Sequence, residues 1–210
     1  MSLKIESVEV GPFAVNAYVL YDEAAGAALL VDPGDEIEAI ASLIEPKGLK
    51  VEAIVNTHAH VDHLVAVAEA KRRFEAPFWL HAADAEWLKA LPQQAMVFGF
   101  PNPEVPTVDR WLQDGDPLRV GGSVGRVIHT PGHTPGGCCL YFPDDALLLT
   151  GDTLFSGSVG RTDLPGGSFE QLASSIRERL YVLGDEVTFF PGHGPHGRLG
   201  HERRGNPFVH

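Results

Sequence analysis

The sequence predicts an α/β protein organised as a single domain over residues 1–210. Three observations predict it. Short β-branched or apolar runs alternate with amphipathic helical patterns along most of the chain. Several of these runs end in glycine-containing turns. With 210 residues, 44% of them hydrophobic, the chain can bury a core without covalent staples.

Taken in order, residues 3–10, 17–21 and 27–31 read as strands, the last two joined by a turn over 22–26. Asp35 is placed to cap a helix, with Glu38 three residues on and Ile37, Ile40 and Ile44 along one face. Lys47 and Gly48 end that helix, and residues 51–55 form the next strand. A helix is predicted over 63–74, with Leu64, Val67 and Ala68 on one stripe. A strand over 77–81 and a helix over 84–91 follow. Residues 92–106 hold four prolines around Met96, Phe98 and Phe100. They read as a loop, either a lid over a site or a cover for its own core. Residues 119–129 and 137–142 read as paired strands around a turn at 130–136, and 146–149 as a buried strand. Ser168 and Gln171 form a capping box ahead of a helix carrying Leu172, Ile176 and Leu180. Residues 187–190 are the last predicted strand. The charged, glycine-rich stretch 197–210 is expected to be a loose tail.

Composition narrows the function classes. A formal net charge of -12 repels phosphate backbones, so nucleic acid is not an expected partner. No apolar run approaches the roughly 20 residues of a spanning helix, so no membrane partner is expected either. Residues 1–10 lack the apolar centre of a signal peptide. The two cysteines, Cys138 and Cys139, are adjacent and cannot close a loop; in a strand they would point to opposite faces. Both observations lead to an expected cytoplasmic location, where thiols stay reduced.

The sharpest chemical signal is His58-x-His60-x-Asp62-His63, set between a strand and a helix. On an extended turn His58 and His60 can reach one centre. The start of the helix rotates Asp62 and His63 toward another. Four ligands do not complete two sites. His133, Asp152 and His193 are candidates for the remainder, since each follows a predicted strand end within a glycine-containing turn. His81, His129, His196, His201 and His210 lack such spacing and read as structural or surface residues. Imidazole and carboxylate donors without thiolate suit zinc, and also iron or manganese.

These segments resemble the metallo-β-lactamase-fold hydrolases. The resemblance rests on Thr57 to His63, Pro131-Gly132-His133-Thr134, Gly151-Asp152-Thr153-Leu154-Phe155, Pro191-Gly192-His193-Gly194 and Val31-Asp32-Pro33-Gly34. Within that superfamily the chain most resembles the glyoxalase II group, in its short single-domain form without the C-terminal helical domain that binds glutathione, and residues 157–163 add weaker support. The resemblance implies a four-layer αββα sandwich with two divalent ions at one edge. It implies His58, His60 and His133 around the first ion, Asp62, His63 and His193 around the second, Asp152 bridging both, and Asp32 behind the ligands. The implied activity is hydrolysis of a small thioester, with Asp62 orienting the nucleophile and taking its proton. Arg161 stands near the place of a family lysine that grips glutathione, and is the candidate anchor for a substrate carboxylate. No tyrosine accompanies it. Two alternatives remain open. Gly160-Arg161-Thr162-Asp163 also resembles the persulfide dioxygenases, which implies one iron held by His58, His133 and Asp152. The other is a metal-binding module without catalysis.

Overall fold

Alternating side chains along the central strands build three apolar layers. In β2 (Val15–Asp22), Ala17 and Val19 face one way while Tyr18 and Leu20 face the other. In β3 (Ala27–Val31), Ala28 and Leu30 oppose Leu29 and Val31 in the same manner. The computed structural model describes residues 3–210.

The first sheet contains β1 (Lys4–Val10), β2, β3, β4 (Lys50–Val55), β5 (Phe78–His81) and β6 (Arg110–Leu112), side by side in chain order. The first three strands are antiparallel; β3 to β6 are parallel. Helices α1 (Ile37–Ile44), α2 (Val61–Leu64), α3 (Val67–Phe74), α4 (Ala85–Lys89) and α5 (Leu91–Phe98) fall between its later strands. Ile40, Ile44, Leu64 and Val67 pack on its outer face.

The second half supplies β7 (Pro117–Val120), β8 (Ser123–His129), β9 (Cys138–Phe142), β10 (Leu147–Gly151), the small hairpin β11 (Leu154–Phe155) and β12 (Ser158–Val159), β13 (Thr188–Pro191) and β14 (Gly197–Arg198). The second sheet runs β14-β13-β10-β9-β8-β7. Cys138, Leu140, Phe142, Leu147 and Leu149 meet the first sheet in the middle layer. Cys139, Tyr141 and Leu148 point outward onto α6 (Phe169–Ser175) and its π-helical continuation Ile176–Leu180, against Leu172, Ile176 and Leu180. The two cysteines therefore sit on opposite faces, both buried and unpaired, as strand alternation requires. The result is helix, sheet, sheet, helix: the expected αββα sandwich.

Several expectations are corrected. Residues 92–106 are not all loop, because Leu91 to Phe98 form α5. Pro92 sits in its first turn, where no amide donor is missed, and Leu91 and Ala95 bury one face. The stretch 197–210 is not a loose tail. It forms β14 and α7 (Leu199–Gly205), buries Leu199 and Val209, and accepts a bond from Tyr181 Oη at Val209 O, 2.9 Å. Two of its three glycines serve packing: Gly197 lies against the Phe189 ring and Gly200 against Asp185. The predicted 63–74 helix is two helices, split after Leu64. The 119–129 run is a hairpin turning between Val120 and Ser123. Asp35 does not cap α1: Glu36 is the cap residue, in the left-handed region, without a side-chain cap bond.

Candidate metal centre

The site forms where strand ends from both sheets meet. Asp32 follows β3, His58 to His63 follow β4, His133 lies between β8 and β9, Asp152 follows β10 and His193 follows β13. Asn16 of β2 ties the two sheets together there. Its side-chain amide donates to Pro191 O (3.0 Å) and Gly194 O (2.9 Å), and Tyr18 Oη donates to Pro191 O (2.7 Å).

All seven proposed donors converge. His58 Nε2 and His133 Nε2 are 3.3 Å apart, and the His60 ring centroid lies 4.5 Å from that of His133. Asp62 Oδ2 is 3.3 Å from His193 Nε2 and 3.7 Å from His63 Nε2. Asp152 lies between the groups, with Oδ1 3.5 Å from His63 Nε2 and Oδ2 3.6 Å from His133 Nε2 and 3.5 Å from His193 Nε2. Three sets bring ligand atoms within 4.8 Å of one another: His58, His60 and His133; Asp62, His63 and His193; and His58, His63 and Asp152. Gly192 permits this crowding, since a Cβ there would strike Asp152 Oδ1 and His63.

Three of the imidazoles are hydrogen-bonded at Nδ1, and a fourth, His63, has a carboxylate beside its Nδ1, which leaves Nε2 facing inward. His133 Nδ1 donates to Arg161 O (2.7 Å) and His193 Nδ1 to Phe13 O (3.0 Å). His63 Nδ1 lies 3.1 Å from Asp32 Oδ2. Thr57 Oγ1 donates to Asp32 Oδ2 (2.7 Å), so the 3.1 Å contact at His58 Nδ1 is His58 donating to Thr57. This outer layer sets tautomer and ring orientation. Asp32 lies behind these imidazoles, 1% exposed.

The donor set fits metal ions on three counts. His63 Nε2, Asp152 Oδ1 and also His60 Nε2 are buried without a hydrogen-bond partner in the protein, a costly arrangement for polar atoms unless something else satisfies them. Burial drives the His58 pKa well below its usual value and that of His60 to about 3, so both imidazoles offer lone pairs. Burial also opposes the charge of Asp152, but His63 and His193 outweigh it and hold that carboxyl well below the usual carboxylate range. Burial likewise opposes charge on His193, yet Asp152 and Asp62 draw its pKa up to about 10. Carboxylates that stabilise a positive charge on a neighbouring imidazole this strongly also stabilise a divalent cation, with the His193 proton released on binding.

The cleft above the cluster is lined by Phe13, Val61, Gln94, Phe98, Arg161 and Leu164. Arg161 does reach it, but both arms of its guanidinium grip Asp163, at 2.7 Å each. Sequence reasoning missed Phe13, Asn16, Asn56, Asp84 and Gln94. Asn56, next to the His58 motif, offered a signal by position, and its side chain donates to His63 O (2.6 Å). Phe13 and Asn16 lie more than 170 residues from the groups they hold. Nothing local marks them. His81 and His129 stand outside the cluster, stacked on each other with ring centroids 4.1 Å apart.

Comparison with known proteins identifies the family and the fold. The family profile described as Metallo-beta-lactamase superfamily matches residues 10–193. The hydroxyacylglutathione hydrolase GloC of Haemophilus influenzae is 37% identical over 209 residues, covering 99% of this chain and 98% of that protein. Among solved structures, the BLEG-1 B3 metallo-beta-lactamase superposes with a TM-score of 0.91 at 36% identity, covering 98% of this chain and 99% of that one. The TTHA1623 protein in a di-iron-bound form gives 0.85 at 40% identity, covering 97% and 100%.

Proposed function

Since the chain belongs to the metallo-beta-lactamase superfamily, we propose that it is a metal-dependent thioester hydrolase of the hydroxyacylglutathione hydrolase type. The observation that carries this reading is the convergence of seven His and Asp donors, with buried nitrogens and a carboxylate oxygen left unmatched by protein. His58, His60 and His133 would hold one divalent ion and Asp62, His63 and His193 a second, with Asp152 between them. Zinc is the expected metal, and the di-iron form of one relative supports iron as well. Bound there, such ions supply a water of lowered pKa and a Lewis acid for a carbonyl.

The chain's own residues do the rest. Asp62 is held ionised: burial resists its charge, but His63 and His193 more than compensate. Its Oδ2 borders the cleft and can accept the proton of an attacking water. A thiolate leaves without protonation, so a thioester suits a cleft with no further general acid among its described lining residues. Phe13, Phe98 and Leu164 make part of the lining apolar. A substrate carboxylate that takes the Nε–Nη2 edge of Arg161 must displace Asp163 first.

The test is a turnover screen of metal-loaded protein against thioesters, lactones and a persulfide, with oxygen consumption followed in parallel. Thioester cleavage without oxygen uptake is expected. Oxygen uptake with the persulfide, and no thioester cleavage, would overturn the hydrolase reading in favour of a dioxygenase.

A further inference from the structure

Asp84 ends the 3-10 turn Ala82–Asp84 after β5 and is fully buried. No lysine or arginine among the described residues pairs with it. Its carboxylate accepts from Ala59 N (2.9 Å), Thr134 Oγ1 (2.8 Å) and Gly136 N (2.5 Å). Ala59 separates His58 from His60, and Thr134 follows His133. All three donors therefore come from the two loops that carry the three-histidine set. Ala59 is held from its other side by Gln94, whose Nε2 donates to Ala59 O (3.0 Å) while its Oε1 accepts from Val61 N (3.0 Å). Gly136 leaves room for the contact, because a Cβ there would strike the Asp84 amide and carboxylate. The acid-containing set is braced by Asn56 at His63 and by Phe13 at His193, while Asp32 touches both sets, His63 directly and His58 through Thr57.

We propose that Asp84 is a positioning residue whose carboxylate clasps loop 57–63 to loop 130–136, setting the spacing of His58, His60 and His133 and so the metal affinity of that set. This rests on the metal-binding part of the reading above and not on the substrate. A carboxylate fits the role because it accepts from several donors at once and donates none. Buried charge-assisted bonds of this kind are strong and directional. Outer residues that orient ligands typically change metal affinity about 10–100-fold when lost.

The test compares Thr134→Val, Thr134→Ser and Asp84→Asn by zinc competition against a chelator and by the visible spectrum of cobalt-loaded protein. Thr134→Val deletes one donor at nearly constant shape; Thr134→Ser restores it. Thr134→Val is expected to weaken one of two sites about 10-fold and shift the cobalt bands, with Thr134→Ser close to wild type. Asp84→Asn should weaken the same site further, since its amide faces an N–H or hydroxyl donor. Adding His193→Ala to Thr134→Val should strip the remaining ion, which identifies the weakened site as the three-histidine set. Unchanged binding in Thr134→Val, equal losses in Val and Ser, or loss of both sites in step would each overturn the clasp. If Asp84→Asn does not fold, the Thr134 pair decides alone. Wild-type protein that binds no metal would sink the functional reading itself, whereas normal loading with unaffected variants sinks only the clasp.

Discussion

Replacing Asp32 by asparagine separates orientation of a ligand from its identity. Asp32 has φ 51°, a region asparagine tolerates better than most residues, so the backbone should survive the change. Its Oδ1 accepts from Thr57 N (2.7 Å) and its Oδ2 from Thr57 Oγ1 (2.7 Å), with His63 Nδ1 at 3.1 Å. Asparagine can keep the Thr57 N bond through its one acceptor oxygen. Its amide then faces His63 Nδ1, donor against donor. When His63 is neutral, as a metal ligand must be, the imidazole relieves this by holding its proton on Nε2, the atom that should face the metal. Loss of one buried bond to a charged group costs about 1.5–3 kcal/mol. For a chain of this length that lowers the melting temperature of chelator-treated protein by roughly 3–12 °C. Metal affinity of the acid-containing set should fall about 10–100-fold. Thermal melts with and without chelator, beside zinc competition, measure both effects. Asp32→Asn with wild-type zinc affinity would refute the claim that Asp32 sets the His63 tautomer.

Other substitutions probe neighbouring parts of the account. Asp62→Ala should lose turnover by about 10²-fold or more while its circular dichroism melt stays near wild type; near-normal turnover at saturating metal would remove Asp62 from the mechanism. Arg161→Ala should raise KM for S-lactoylglutathione more than it lowers kcat, with little effect on an uncharged thioester. Equal loss on both substrates would make Arg161 a structural residue, held by Asp163, that only presents its carbonyl to His133. Burial, with His129 beside it, lowers the His81 pKa to about 4. The unfolded chain takes up that proton near its ordinary value of about 6.5, so stability should be fully present above pH 6.5 and decline as pH falls toward 4. In His81→Asn the melting temperature should fall less between pH 7 and pH 5 than in wild type, and an identical fall would rule out His81 as a source.

The fold class was readable because alternation on the central strands is strict: Cys138 and Cys139 had to face different layers, and they do. The donor cluster was readable because four of its members share one closely spaced motif and the other three, His133, Asp152 and His193, sit at strand ends beside glycine, both local patterns. What escaped were signals that local sequence misstates. Pro92 looked like a helix breaker and instead occupies the first turn of α5. Gly197 and Gly200 looked like flexibility and instead allow close packing by Phe189 and Asp185. The bracing residues were invisible for another reason. Asp84 resembles any helix-start aspartate, and only the tertiary fold brings Ala59, Thr134 and Gly136 to it.

The central claim is that the seven donors form one two-ion centre. Its most direct test is elemental analysis of wild-type protein, loaded with transition metal and then dialysed free of loose ions. The account predicts close to two ions per chain, falling to about one in His193→Ala. One tightly held iron under metal-replete conditions, with no second ion taken up, would contradict it.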